Sequence, residues 1–270
     1  MDNRPIGVFD SGLGGLTVVK ALSAAMPNEQ IVYFGDTGRV PYGNRSRATI
    51  EQYARQDEAF LLSQNVKLII AACGTVSSVA AHTGDHLPVP FFGVVQPAAA
   101  AAAKATKNGK IGVIGTAATI ASGAYERELL HIDPTYSVIS TDCPLFVPLV
   151  EEGWISPDDP ITRLTAQRYL QPVRNAGVDT LILGCTHYPL IAPILQQVMG
   201  EHVTLINAGQ AAADACQVIL QQKQLNTGQT QPGTHQYFVT DRPDSFLKIA
   251  SLFLQGALNG TVQRVQVEQL

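Results

Sequence analysis

Short apolar runs alternate with helix-length segments along almost the whole chain, and this alternation limits the fold more than any other feature of the sequence. Near-continuous apolar runs are typical of strands in a parallel sheet with helices over both faces. The pattern therefore predicts an α/β fold of βαβ units. Strands are predicted at Ile6–Phe9, Ile31–Phe34, Leu68–Ala72, Phe91–Val95, Lys110–Ile114, Ser137–Ser140, Thr180–Leu183, Val203–Ile206, Gln236–Thr240 and Val262–Val267.

Helical patterns lie between most of these strands. The clearest are Arg47–Ser63, Ala117–Leu130, Ile161–Asn175, Ile191–Met199 and Asp244–Leu254. The alanine run Ala98–Ala103 follows Pro97. Alanine is the best helix former and proline suits the first turn, so this run predicts the start of a helix rather than a low-complexity segment.

The chain repeats a pair of signals in the same order. "IGVFDSG" at Ile6–Gly12 resembles "IGVIGTA" at Ile111–Ala117, and "LIIAACGTVSS" at Leu68–Ser78 resembles "LILGCTHYPL" at Leu181–Leu190. Such a repeat predicts two related α/β halves. Ligands of open parallel sheets bind beyond the carboxyl ends of the strands.

Four residues fall at such strand ends: Ser11, Cys73, Thr116 and Cys185. If the two halves face each other, one cleft receives all of them, with a cysteine from each side. The sequence therefore predicts a ligand site between the halves.

Composition excludes several other classes. The chain of 270 residues suits two domains, and 46% hydrophobic with 15% charged residues indicates a globular protein. A net charge of −4 without a Lys/Arg run argues against nucleic-acid binding. We see no signal peptide and no apolar segment near the roughly 20 residues of a membrane span. We therefore expect a cytoplasmic protein whose four cysteines are reduced thiols.

The cysteine positions suggest acid–base chemistry. A cysteine between a strand and a helix can lie near a helix N-terminus, which favours the thiolate and lowers the thiol pKa below its usual value of about 8.5. Hydroxyl donors and glycines surround both cysteines, at Thr75, Ser77, Thr186, Gly12, Gly14, Gly15 and Gly74. Glycines allow a ligand to approach backbone amides closely. These features suit a substrate with carboxylates.

Two opposed thiols predict inversion of a carbon centre. One base takes a proton from one face of an acidified carbon, and the other returns a proton to the opposite face. His187 follows Cys185 closely and Asp10 ends the first strand, so these are the candidates that set the protonation of the two thiols.

Simpler interpretations exist for each residue. A single cysteine is most often a core residue, and Cys143 and Cys216 are interpreted so. A redox pair lacks a C-x-x-C motif, and no ligands cluster at zinc spacing. "GLGGLTV" departs from the dinucleotide fingerprint. His187 alone would be a structural histidine, and Asp10 could cap the following helix.

Six motifs spread over essentially the whole chain resemble those of glutamate racemases, in the aspartate/glutamate racemase superfamily. They are "GVFDSGLGGLTV" (Gly7–Val18), "YFGDTGRVPYGNRS" (Tyr33–Ser46), "AACGTVSS" (Ala71–Ser78), "IGVIGTAATIASGAY" (Ile111–Tyr125), "CPLFVPLVEEG" (Cys143–Gly153) and "GCTHYPL" (Gly184–Leu190). Together these motifs are highly specific.

The resemblance implies a cofactor-independent and metal-independent enzyme that interconverts L- and D-glutamate and supplies the D-isomer for peptidoglycan. It implies two α/β domains about a pseudo-twofold axis, which we place at residues 1–96 plus 207–270 and at residues 97–206. We expect a homodimer that binds neither nucleic acid nor membrane.

The resemblance also implies residue roles. Cys73 and Cys185 are the two bases, Asp10 supports Cys73, and His187 and Glu151 support Cys185. The substrate carboxylates are held by Ser11, Thr75, Thr116, Thr119 and Thr186, with help from Pro41, Tyr42, Gly43 and the Gly74 position.

The chain departs from the family pattern at a few positions. Gly74 stands where the family usually has an asparagine that contacts the substrate, and Asn207 and Ala208 stand where an acidic residue and a serine are common. A racemase for aspartate or another amino acid is therefore an alternative. A purely binding or regulatory role is a further alternative, although a binder needs no pair of opposed thiols.

Overall fold

A computed structural model describes residues 1–266, which form two parallel sheets. The strands are β1 Ile6–Asp10, β2 Ile31–Gly35, β3 Leu68–Ala71, β4 Phe91–Gly93, β5 Lys110–Gly115, β6 Ser137–Asp142, β7 Thr180–Leu183, β8 Thr204–Asn207, β9 His235–Val239 and β10 Gly260–Arg264. The first sheet has the order β10-β9-β2-β1-β3-β4, and the second has the order β6-β5-β7-β8. The α/β class predicted from the alternation is confirmed.

The helices lie between the strands. They are α1 Leu16–Ala25, α2 Arg47–Ser63, α3 Gly74–Val79, α4 Val95–Ala105, α5 Ala117–Ala121, α6 Ala124–Ile132, α7 Phe146–Glu151, α8 Pro160–Asn175, α9 Ala192–Met199, α10 Ala208–Gln222 and α11 Pro243–Leu254. Short 3₁₀ helices occupy Tyr42–Asn44, Ala81–His86 and Tyr188–Ile191. No helix within residues 1–266 is long and apolar enough to cross a membrane.

The sequence repeat corresponds to a repeat in topology. The order β2-β1-β3-β4 of the first sheet is matched by β6-β5-β7-β8 in the second. In both sheets the strand of the "IGV" motif is central and pairs with the strand that precedes the cysteine. Strands β9 and β10 extend the first sheet from the late part of the chain. The domain boundaries at 97 and 207 stay a prediction.

The first sheet is buried on both faces. Along β1, Val8 packs in one hydrophobic cluster with Tyr33 and Leu68, whereas Phe9 packs in another with Phe34 and Phe60. Helices α1 and α10 pack against each other on one face, while α2 contacts the sheet from the other. Burial on both faces explains why these strands read as continuous apolar runs.

Three expected elements differ from the structure. The helix expected over Ala117–Leu130 is wrong, because Gly123 adopts φ of +65° and separates α5 from α6. The run Phe91–Val95 is strand only to Gly93, and Val95 already begins α4. A short apolar run does not reveal such a boundary by periodicity. The last strand ends at Arg264, and Val267 lies outside the described residues.

Candidate active site

Both cysteines lie just beyond the carboxyl end of an interior strand, Cys73 after β3 in the first sheet and Cys185 after β7 in the second. Ala72 donates its N–H to Phe9 O, and Gly184 donates its N–H to Ile114 O. The backbone that follows β3 therefore stays hydrogen-bonded to β1 up to Cys73, and the backbone that follows β7 stays hydrogen-bonded to β5 up to Cys185. Cys73 then occupies the position before α3. The strand-end rule therefore placed both thiols correctly at this edge of their sheets.

A cavity of about 380 Å³ lies between the two sheets and contains both cysteines. Every residue to which the family resemblance assigns a role lines it except Asp10 and Thr119. The predicted residues on its wall are Ser11, Pro41, Tyr42, Gly43, Cys73, Gly74, Thr75, Thr116, Glu151, Cys185, Thr186 and His187. Of the further residues expected around the cysteines, Gly12 lines the cavity, whereas Ser77, Gly14 and Gly15 do not. A larger groove of about 720 Å³ lies along α8 and α9 and contains neither cysteine.

Other lining residues escaped the sequence analysis. They are Leu13, Val40, Asn44, Ala117, Cys143, Pro144, Val147, Pro148 and Gly184. Most are small or apolar and carry no chemical signal. Cys143 is buried, as expected for a core residue, yet it also borders the cavity. It follows directly after β6, so the strand-end rule, applied to every strand, would have found it.

No lysine or arginine lies among the described residues that line the cavity. A chain of hydroxyls is present instead. Thr75 Oγ1 lies 3.0 Å from Thr116 Oγ1, which lies 3.0 Å from Thr119 Oγ1. Thr119 is buried behind Thr116 and reaches the cavity through it. An anion here would be bound by N–H and hydroxyl donors rather than by a lysine or an arginine.

His187 connects Cys185 to Glu151. Its Nδ1 lies 3.8 Å from Cys185 Sγ and its Nε2 lies 3.0 Å from Glu151 Oε1. Burial opposes the imidazolium charge, but the hydrogen bonds to Cys185 and Glu151 outweigh burial and raise the His187 pKa to about 10. His187 is therefore protonated at neutral pH and donates from both ring nitrogens.

Cys73 has a different environment. Its thiol donates to Ser11 Oγ at 3.5 Å. Burial, followed by the nearby Asp10 carboxylate, raises the pKa of Cys73 to about 12. The expected lowering of this pKa by the helix N-terminus is therefore wrong for Cys73. The N–H groups around the sulfur favour the thiolate, but removal from water weighs more in a side chain that is only 5% exposed.

Asp10 is buried under the glycine-rich turn. Its Oδ2 accepts the Gly12 N–H at 2.9 Å, and Gly15 donates a further backbone hydrogen bond. Its Oδ1 has no hydrogen-bond partner within residues 1–266. Burial raises the Asp10 pKa above its ordinary value. Asp10 thus organises the turn before α1, but it does not cap that helix, which has no side-chain cap hydrogen bond. It acts on Cys73 through its charge rather than through a hydrogen bond.

Two glycines allow the halves to meet closely. A Cβ atom at Gly14 would lie 2.0 Å from Thr186 Oγ1, and one at Gly74 would lie 2.3 Å from the carbonyl oxygen of Gly184. Thr17 Oγ1 also contacts Thr186 O at 3.1 Å. The cavity is therefore enclosed by direct contacts between the two cysteine-bearing edges.

The four cysteines are unpaired thiols, and residues 1–266 contain no group of three or more His, Cys, Asp or Glu side chains suited to a metal ion. The side chains that line the cavity therefore offer three thiols, one imidazole, one carboxylate, one amide and several hydroxyls. This set can transfer protons and bind carboxylates.

Two parallel sheets thus enclose one cavity, with Cys73 at the edge of the first sheet and Cys185 at the edge of the second. The chain belongs to the Asp/Glu/hydantoin racemase family, whose model matches residues 15–216. Within that family its similarity is to glutamate racemases. The glutamate racemase of Syntrophus aciditrophicus (strain SB) is 49% identical over 265 residues, which cover 98% of this chain and 97% of the relative.

Solved structures give the same result. The glutamate racemase of Francisella tularensis subsp. tularensis SCHU S4, in complex with D-glutamate, has a TM-score of 0.92 and 38% identity, with all of both chains covered. The glutamate racemase of Thermus thermophilus, in complex with beta-chloro-D-alanine, has a TM-score of 0.89 and 41% identity with the same coverage. The family resemblance and the fold inferred from the sequence are confirmed.

Proposed function

We propose that this chain is a glutamate racemase that interconverts L- and D-glutamate through Cys73 and Cys185, with no bound cofactor. The observation that carries the proposal is the pair of thiols, one from each sheet, in a single cavity of about 380 Å³. The glutamate racemase relatives, one of them crystallised with D-glutamate, support the choice of substrate.

The proposed reaction moves one proton at a time. A thiolate removes the α-proton, the electron pair of the broken C–H bond enters the adjacent carboxylate, and the opposite thiol donates its proton to the other face. By family resemblance, Cys185 acts on L-glutamate and Cys73 acts on D-glutamate. The protonated His187 beside Cys185 and the raised pKa of Cys73 suit the start of the reaction from L-glutamate.

We assign substrate binding to the neutral donors of the cavity. Ser11, Thr75, Thr116 and Thr186 offer hydroxyls on opposite walls. Pro41, Tyr42, Gly43 and Gly74 supply backbone surface. Such donors bind a carboxylate while leaving the α-carbon between the thiols.

The family resemblance extends the proposal to the cell. A cytoplasmic enzyme, homodimeric in solution, would supply D-glutamate for peptidoglycan. Rescue of a bacterial strain that requires D-glutamate tests the supply role, and analytical ultracentrifugation tests the dimer.

The deciding experiment is a chiral chromatographic assay of purified protein treated with EDTA and freed of small molecules. We expect racemisation of L- and D-glutamate, and none of aspartate, without any addition. Conversion of aspartate alone would assign a different substrate. Activity that returns only with a metal, pyridoxal phosphate or a nucleotide would contradict the cofactor-independent mechanism.

The two-thiol mechanism is tested in the same assay. Cys73→Ala and Cys185→Ala should each abolish racemisation because one face of the substrate loses its base. Cys216→Ala is the matched control, since Cys216 is a buried thiol that does not line the cavity. Full activity in either cavity variant would exclude two-base catalysis.

A further inference from the structure

The hydroxyl of Tyr42 is directed into the protein rather than toward the cavity. Tyr42 lines the cavity, yet it is only 1% exposed and its hydroxyl contacts the carboxylates of Asp36 and Asp57. Asp36 follows β2 and Asp57 lies on α2, and both are fully buried. The cavity segment Pro41–Gly43 is therefore anchored from behind by a buried polar cluster.

The geometry of this cluster requires one proton in addition to the hydroxyl proton of Tyr42. Tyr42 donates to Asp36 Oδ2, and its oxygen also lies 3.1 Å from Asp57 Oδ2. A phenol carries a single proton and cannot donate to both carboxylates. A proton on Asp57 completes the chain, because Asp57 then donates to Tyr42 and Tyr42 donates to Asp36.

The charges of the cluster agree with this count. Arg39 Nε lies 2.5 Å from Asp36 Oδ2, and its Nη2 lies 3.3 Å from Asp57 Oδ1. Arg39 also stacks at 4.0 Å over the ring of Tyr53. One guanidinium balances one carboxylate, and a second ionised carboxylate would be buried without a counter-charge.

Within residues 1–266, the other groups beside the two carboxylates add no positive charge. Thr240 Oγ1 donates to Asp36 Oδ1 at 2.9 Å, and Glu58, the next residue on α2, adds a negative charge near Asp57. Burial, followed by the nearby Asp36, raises the pKa of Asp57 well above its ordinary value. The proton therefore has a reason to stay on Asp57 at neutral pH.

We propose that Asp57 is a positioning residue, which holds a proton and donates it to Tyr42 so that the Pro41–Gly43 segment keeps its place in the cavity wall. In the cavity wall this segment contacts the residues that follow β5 of the second sheet, since a Cβ atom on Gly43 would lie 3.2 Å from Thr116 Cβ. The link to catalysis rests on the proposed function, whereas the proton on Asp57 does not.

The kinetic test compares Asp57→Ala with Asp57→Asn. Loss of one buried hydrogen-bond donor corresponds to a factor of about five, so Asp57→Ala should raise KM for both glutamate enantiomers about fivefold, with a smaller change in kcat. Asp57→Asn should stay within about twofold of the wild type, because its amide donates to Tyr42 and accepts from Arg39. Tyr42→Phe should behave like Asp57→Ala and add little to it in the double variant.

Glu58→Gln is the matched control, because Glu58 is a buried carboxyl on the same helix that bonds to Thr83 instead. It should leave KM unchanged, because burial and Asp36 raise the pKa of Asp57 more than Glu58 does. A wild-type KM in Asp57→Ala would overturn the positioning role. An Asp57→Asn variant as impaired as Asp57→Ala would show that a charged Asp57 is needed.

Infrared spectroscopy tests the proton without relying on activity. Above the pKa of Glu58, about 7, the wild-type-minus-Asp57→Asn difference spectrum should contain the C=O band of a protonated carboxylic acid. Only carboxylate bands in that difference would overturn the proposal even in an active racemase. Conversely, a protonated-acid band in a protein that does not racemise glutamate would support the proton on Asp57 and contradict the proposed function.

Discussion

The backbone at Gly74 faces the carbonyl oxygen of Gly184 so closely that a Cβ atom at position 74 would lie 2.3 Å from that oxygen. Each glycine adjoins one of the cavity cysteines, so this contact controls how closely the two thiol-bearing edges approach. A side chain here requires the backbone at Gly184 to retreat.

We therefore predict that Gly74→Ala lowers kcat/KM for glutamate by about tenfold or more, because a small error in the spacing of the reacting groups is costly. Gly256→Ala is the matched control, since the nearest atom to its added Cβ lies 4.0 Å away. Steady-state kinetics in both directions measures the effect. Unchanged kinetics in Gly74→Ala would mean that the backbone at Gly184 yields freely.

The second prediction concerns the supports of the two thiols. His187→Asn and Asp10→Asn should each lower activity by roughly 10–10⁴-fold, because each leaves its thiol present but wrongly protonated. The enantiomers have equal free energies, so kcat/KM falls equally in both directions. The direction shows instead in primary isotope effects measured with L- and D-[2-²H]glutamate.

We expect His187→Asn to increase the isotope effect from L-glutamate relative to D-glutamate, and Asp10→Asn to do the reverse. The same directional pattern in both variants would contradict the assignment of one support to each thiol. The two-cysteine chemistry would survive that result.

The third prediction concerns pH and stability. Glu58 is 2% exposed, and burial raises its pKa to about 7. Because the folded-state pKa exceeds the unfolded one of about 4.3, the stability that Glu58 provides is present below about pH 4 and is lost as pH rises through about 7. Glu58→Gln, which stays neutral, should therefore gain stability over the wild type as pH rises.

Urea unfolding at about pH 5 and about pH 8.5 measures this difference, which should grow by about 2–4 kcal/mol, at ~1.4 kcal/mol per pKa unit. Thr83 can still donate to the amide oxygen of the variant, so this hydrogen bond is kept. A difference that does not change with pH would contradict the raised pKa.

The fourth prediction concerns a buried ion pair. Lys67 Nζ lies 2.6 Å from Glu29 Oε2 and donates to Asp2 O at 2.8 Å, while Glu29 Oε1 accepts the N–H of Thr227. Lys67→Met leaves the carboxylate buried and unpaired, which should cost ~3–5 kcal/mol of unfolding free energy. The double variant with Glu29→Gln should recover part of that loss in urea unfolding. If the double variant recovered nothing, the lost stability of Lys67→Met would come from packing and not from the unpaired charge.

Much of the fold follows from local patterns. The helix Arg47–Ser63 has the bounds expected from its periodicity, and the strand Thr180–Leu183 likewise. The split at Gly123 escaped notice because one glycine inside a helical pattern does not reveal whether it adopts a positive φ. That choice depends on how the flanking helices pack.

Some features of the site follow from the sequence, and others depend on the tertiary structure. By itself the sequence determined the class of fold and the placement of Cys73 and Cys185 at strand ends, because side-chain periodicity and strand direction are properties of the local chain. The tertiary structure alone decided the raised pKa of Cys73, the inward direction of the Tyr42 hydroxyl and the contact of Gly74 with Gly184. Burial, charge and close approach depend on segments distant in sequence, and they exist only once those segments have packed together.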